Sequence, residues 1–171
     1  WYLGKGTPEE IRKSVVKISN KMRLPLKNAG KDTILGFMKL YGLGVDCSGF
    51  VYNLLKYAFS KHGLERKFNK SLNWKDKKKQ GASRAGSFVF AGKASSIIDP
   101  IKIRPLDLIL TKSNDKESYD HIAIILRQNP SLVVAQSTIS NSGVSVTKIR
   151  VGHKGPRFEF KPEIGEGWES L

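Results

Sequence analysis

Along this chain the apolar pattern changes once, from a helical period of about 3.6 to short β-branched segments between polar turns. Ile11, Val15, Ile18 and Met22 recur at helical spacing behind Thr7-Pro8-Glu9-Glu10. There Thr7 is an N-cap, Pro8 the first helical residue and Glu10 the partner in a capping box. This predicts a helix over 8–22 with one apolar face on the core, ended by Pro25 and followed by a loop across 27–32. A second stripe, Phe50, Val51, Leu54, Leu55 and Ala58, starts just after Cys47, with Asp46 placed to cap it and Gly63 to stop it. It is the expected central, buried helix.

Beyond residue 105 the segments 107–111, 121–126, 132–137 and 144–150 are short, rich in β-branched residues and separated by polar turns. They predict a meander of about four antiparallel strands, or five if 157–161 adds an edge. Helices first and a sheet second make an α+β domain. A length of 171 residues with 39% hydrophobic content suits one core. The expected boundaries are a single domain over 1–162 and an extended C-terminal end over 163–171. Residues 67–84 are strongly basic around Lys75-Asp76-Lys77-Lys78-Lys79 and lack apolar periodicity, so they read as an exposed insertion whose charges are solvated. No internal repeat or low-complexity segment interrupts the pattern.

Thirty Lys and Arg against fifteen Asp and Glu give a net charge of +15, so the surface field attracts polyanions: nucleic acid, anionic lipid headgroups or an acidic cell-wall polymer. Charge alone does not choose among them, and a merely solubilising coat is an equal reading. No apolar run reaches the roughly 18 residues of a membrane span, and no signal peptide is visible. A start at Trp1 reads as an excised fragment, so localisation must be argued from elsewhere.

One cysteine excludes an internal disulfide and a Cys-rich zinc site, and a lone cysteine is more often core filler than a reactive group. Cys47, however, opens a helix. Unpaired N–H groups and the positive end of the helix dipole favour thiolate there, and the small Ser48 and Gly49 that follow leave room for substrate. First-turn N–H groups also suit an oxyanion. A base must then be a neutral imidazole held by a third group. His121 begins a strongly apolar strand after a polar stretch. His62 beside Gly63 reads as a helix C-terminal cap, and His153 between two glycines as a turn residue, which leaves His121 as the strong candidate.

Asp46-Cys47-Ser48-Gly49-Phe50-Val51, then Pro105-Leu106-Asp107-Leu108-Ile109, then His121-Ile122-Ala123-Ile124-Ile125-Leu126 resemble, in order, the NlpC family of papain-like cysteine peptidases. The likeness spans about 8–150. It implies a papain-like fold, with Cys47 as nucleophile at the start of a central helix and His121 as base. It also implies Asp46 and Ser48 as groups that help bind a substrate amine. Two features depart from the family. Its upstream Pro-Tyr-x-x-Gly-Gly is replaced by Pro25-Leu26-Lys27-Asn28-Ala29-Gly30, leaving Tyr41 as a candidate for the missing phenol. Its second His, on the next strand, is also absent, and Gln136 is the nearest polar side chain able to accept the His121 N–H. A plain Cys-His dyad, a backbone carbonyl, Ser137, Asn141 and Asp120 are the other readings.

The resemblance implies a cysteine endopeptidase that hydrolyses peptide bonds in bacterial peptidoglycan stem peptides, next to a D-glutamyl residue in typical members. It needs no metal or cofactor, acts on peptidoglycan or another anionic wall polymer, and works outside the cell, in the periplasm or at the wall. The domain is expected to be monomeric, with no specific nucleic acid partner. The rivals are amidase, transpeptidase or acyltransferase chemistry on a non-wall substrate, and an inactive basic binding module.

Overall fold

The computed structural model describes residues 6–78, 80–112, 119–128, 131–138, 143–154, 157–162 and 169–170, with side chains described up to residue 149. Four α-helices, α1 (Pro8–Lys21), α2 (Lys31–Leu40), α3 (Cys47–Ser60) and α4 (Glu65–Ser71), precede a run of short 3-10 turns. An antiparallel sheet follows, in the order β1 (Leu108–Lys112), β2 (Tyr119–Arg127), β3 (Leu132–Thr138), β4 (Gly143–Lys154) and β5 (Arg157–Pro162). The two-residue β6 (Glu169–Ser170) pairs with β4 at Ser145 and Val146, so the sheet has six strands rather than about five. The remaining residues of the C-terminal end, 163–168 and 171, lie outside the described residues. The class is α+β.

The capping box of α1 forms as the sequence predicts: Glu10 N–H donates to Thr7 Oγ1 at 3.3 Å and Thr7 N–H to Glu10 Oε2 at 2.8 Å. The apolar stripe of α1 is only half-buried, and Ser19 is its one buried residue. The central helix is instead α3, whose Val51, Tyr52 and Leu55 pack with Ile122 and Ile124 of β2 and Ala135 of β3. It ends at Gly63, which takes φ +68 while Leu64 N–H donates to Phe59 C=O at 2.9 Å, a left-handed stop that glycine adopts without strain. The other sheet face carries a smaller cluster of Ile103, Ile125, Leu132, Val134 and Ile149. β2 is therefore buried on both sides, which accounts for its continuous apolar run.

Three local expectations need correction. The loop placed over 27–32 ends at Gly30, and α2 begins at Lys31. The basic stretch 67–84 is not a detached excursion. Its described lysines are exposed, but Phe68 and Trp74 are buried against Tyr52 and Phe59, with Phe59 and Phe68 stacked at 5.0 Å. Trp74 Nε1 and Tyr52 Oη both donate to Asn69, to its carbonyl and its side-chain oxygen, at 2.8 Å each. Aromatic anchors in an irregular segment bury large areas without producing any periodic signal. Finally, His153 is not in a turn but in β4 opposite Phe158.

Candidate functional site

The Cys47 thiol sits at the first residue of α3, behind an N-cap formed by Asp46. Asp46 Oδ1 accepts the Gly49 N–H at 2.6 Å, and Asp46 C=O accepts the Phe50 N–H at 2.9 Å. Those bonds occupy two of the first-turn donors. The Cys47 N–H belongs to the first helical residue and so has no intrahelical acceptor.

The helix start meets the sheet where β2 and β3 part. Their ladder runs as far as Ile124 opposite Ala135; beyond it β2 continues back through His121 beside β1, and β3 continues to Thr138 beside β4. On the β1 side, Ile125 N–H donates to Asp107 C=O and Leu106 N–H to Ile125 C=O. Alternation along the strand then turns the Ile122 N–H to the opposite edge, where β3 no longer meets it. Cys47 fills that place, its sulfur accepting from the Ile122 N–H. Ser137 Oγ donates to Val45 C=O, which fixes the segment just ahead of the thiol to β3. A strand separation that would otherwise strand backbone groups is closed by the nucleophile's own segment.

His121 and Gln136 flank the same gap. His121 Nε2 lies 2.6 Å from Gln136 Oε1. An amide oxygen only accepts, so Nε2 carries the proton and Nδ1 is the atom left for the thiol. Gln136 is buried, which holds its rotamer and keeps water from competing for the His121 N–H. Burial by itself pushes the Cys47 thiol up, but the hydrogen bond with His121, the Ile122 N–H and the imidazolium charge outweigh it, even against the opposing charge of Asp46. The thiol is held below its ordinary value of 9.0. The bond to Cys47 raises His121 above its ordinary 6.5 and the bond to Gln136 adds to it, against the opposite pull of burial. Both shifts favour a thiolate beside an imidazolium, the state from which sulfur attacks.

Ser48 is buried, and its hydroxyl points into the fold, 2.7 Å from Ala85 C=O and 3.1 Å from Asp46 Oδ1. Asp46 and Ser48 thus brace the helix start. Tyr41 ends α2 with its ring tilted on Phe37 at 4.6 Å, and among the described residues no hydrogen bond joins it to Cys47, His121 or Gln136. Of the other readings for the third group, Ser137 serves the Val45 carbonyl, Asp120 is exposed, and Asn141 lies outside the described residues. Two supports carried no sequence signal. Ala85 receives the Ser48 hydroxyl, and Ser87 Oγ donates to Tyr119 C=O just ahead of His121. Both belong to irregular turns over 82–90 that pack between α3 and the start of β2. Only the cluster of small and apolar residues there hinted at a buried role. Among the described residues no group of His, Cys, Asp and Glu side chains is arranged to hold a metal. Likewise no helix among them is long and apolar enough to cross a membrane. Comparison with protein-family models, with characterised proteins and with solved structures returns no match.

Proposed function

We propose that this chain is a papain-like cysteine hydrolase of the NlpC type, cleaving peptide bonds in bacterial cell-wall stem peptides through a thioester on Cys47. The observation that carries the reading is the chain of contacts from the Cys47 sulfur to His121 to Gln136, built at the mouth of a strand separation. In the first half-reaction the Cys47 thiolate attacks the scissile carbonyl carbon and His121 passes the Nδ1 proton to the leaving amine nitrogen as the C–N bond breaks. The Cys47 N–H is placed to donate to the oxyanion that develops. In the second, His121 takes a proton from water, the hydroxide adds to the thioester, and sulfur leaves as thiolate. Gln136 accepts the hydrogen bond from Nε2–H throughout, which keeps the imidazole in the tautomer that reacts.

The basic surface, +15 overall, suits an anionic wall polymer, and the site of action that follows is extracellular, periplasmic or at the wall. Loss of cleaved stem peptides from purified peptidoglycan on Cys47→Ala, with the fold retained by circular dichroism, is the expected result. Undiminished release would remove the peptidase reading. A second reading, acyl transfer or amide hydrolysis on a non-wall substrate, draws on Leu26 and on Tyr41, whose hydroxyl makes no bond to the reacting group. It gains if the wild-type protein releases nothing from peptidoglycan while an iodoacetamide probe labels Cys47 rapidly near neutral pH. Slow labelling together with tight, salt-sensitive binding of polyanions would indicate an inactive basic module instead.

A further inference from the structure

Between the last buried 3-10 turn and β1, the chain exposes apolar residues that a solvated loop does not need. Ile97 is fully exposed at 104% and Ile101 is 84% exposed, with Ile98 and Leu106 also open to solvent. Scattered exposed apolar residues are ordinary, but four within ten positions of one segment are a concentrated apolar surface. Its charges lean positive: Lys102 and Arg104 are exposed within it against one exposed carboxylate, Asp99, which accepts the Ile101 N–H at 3.0 Å. Between the exposed residues, Ile103 is buried against Ile125, Leu132, Val134 and Ile149 and the Leu106 N–H donates to Ile125 C=O, so the loop is held to the sheet while Ile97, Ile98 and Ile101 stay exposed.

Leu106 adds a second observation. It takes φ +75, a left-handed conformation unusual for a leucine, directly before Asp107 closes the turn by accepting the Arg104 N–H at 2.7 Å. Glycine would meet that backbone without strain. A large apolar side chain is kept there although it is 45% exposed and gains little from the core. Strain retained at an exposed position points to a role outside the fold.

We propose that the segment 95–106 is a peripheral docking loop for an anionic phospholipid surface. Ile97, Ile98, Ile101 and Leu106 enter the headgroup boundary, and Lys102 and Arg104 pair with lipid phosphates. The combination of apolar side chains with adjacent cations matches such an interface, where burial of apolar area and attraction to anionic headgroups add. The net charge of +15 favours the same surface at longer range. The loop joins the sheet at Ile125, four residues along β2 from His121, about 13 Å for an extended strand. The separation lets a docked molecule keep its reacting groups in water. The proposal does not depend on the substrate of Cys47.

Sedimentation of the protein with vesicles of pure phosphatidylglycerol, against pure phosphatidylcholine, tests it. Binding is expected to the first and to be far weaker on the second. Ile97→Ser and Ile101→Ser should each weaken binding about tenfold, and Lys102→Gln and Arg104→Gln each about fivefold. An unchanged iodoacetamide labelling rate at Cys47 shows that each variant is folded. Absence of binding to phosphatidylglycerol would overturn the proposal. So would isoleucine variants that bind like wild type while charge variants do not, because general charge attraction would then account for everything. Concentration-dependent self-association that Ile97→Ser abolishes, without vesicle binding, would assign the surface to a second copy of the chain and overturn it equally.

Discussion

The two ends of β2 invert the usual arrangement in opposite ways. At the His121 end, polar groups that ordinarily face water are drawn inside: Gln136, Ser48 and Ser137 are buried and each is bonded. At the Ile125 end, apolar groups that ordinarily lie inside are left out, and a leucine is held in a strained conformation. Burying polar groups is tolerable only when every one has a partner, and at the first end they do. Exposing isoleucines confers no stability on the folded chain by itself, so the second end is intelligible only through something that covers it. The same strand thus carries a closed polar site and an open apolar one, and both depart from what packing alone would select.

The sharpest break of this comparison is His121→Ala. It removes two of the causes that lower the Cys47 thiol and leaves burial and Asp46, both of which raise it. The thiol therefore moves upward, its reactive form is lost at neutral pH, and turnover should fall by about 10³-fold or more. The pH profile of iodoacetamide labelling checks the sign. In wild type the rate should hold at pH values below the ordinary 9.0 and fall only through the depressed thiol pKa, whereas in the variant its midpoint should rise. A variant profile that coincides with wild type would separate the thiol from the imidazole.

Gln136→Ala leaves a half-buried imidazolium N–H without its acceptor. A charged hydrogen bond of that kind contributes about 1.5–3 kcal/mol, so turnover should fall about 10- to 100-fold. Gln136→Glu should partly rescue it and raise the His121 pKa further, which nuclear magnetic resonance titration of the ring reads directly. If alanine and glutamate variants turn over alike, the third group lies elsewhere.

The smaller effects are on stability, and their signs oppose each other. Ser137→Ala removes the tie from β3 to Val45 and should cost about 1 kcal/mol by urea denaturation. Leu106→Gly relieves a left-handed leucine and should gain up to about 1 kcal/mol, after the extra chain entropy of glycine is counted. A stabilising change at one end of β2 and a destabilising one at the other would mark which end serves the fold.

The order of elements was readable because apolar patterning survives in both halves. The stripe from Phe50 to Ala58 and the short apolar, β-branched runs at 121–126 and 132–137 lead directly to α3, β2 and β3. Cys47 and His121 were readable as candidates from the start of a helix and of an apolar run, and Gln136 only through the family resemblance, as a polar side chain on the strand after His121. The segments between were not. Phe68 and Trp74 are anchored by ring packing and by Asn69, and those contacts join residues far apart in the chain without repeating along it. Ala85 and Ser87 have no chemistry of their own to announce them, and matter only through the carbonyl or hydroxyl they place.

By itself, then, the sequence determined an α+β chain with a capped helix opening on a thiol and an apolar run opening on an imidazole two residues inside β2, because caps and apolar runs are local properties. Whether those two groups meet depends on where the β2–β3 ladder stops, and pairing between strands is not encoded in either strand alone. The tertiary structure decided that the ladder ends at Ile124 and Ala135, that Cys47 takes the donor left open at Ile122, and that Gln136 rather than Ser137 reaches the imidazole. Its physical basis is the requirement that each buried backbone group find a partner, which only the assembled sheet can set.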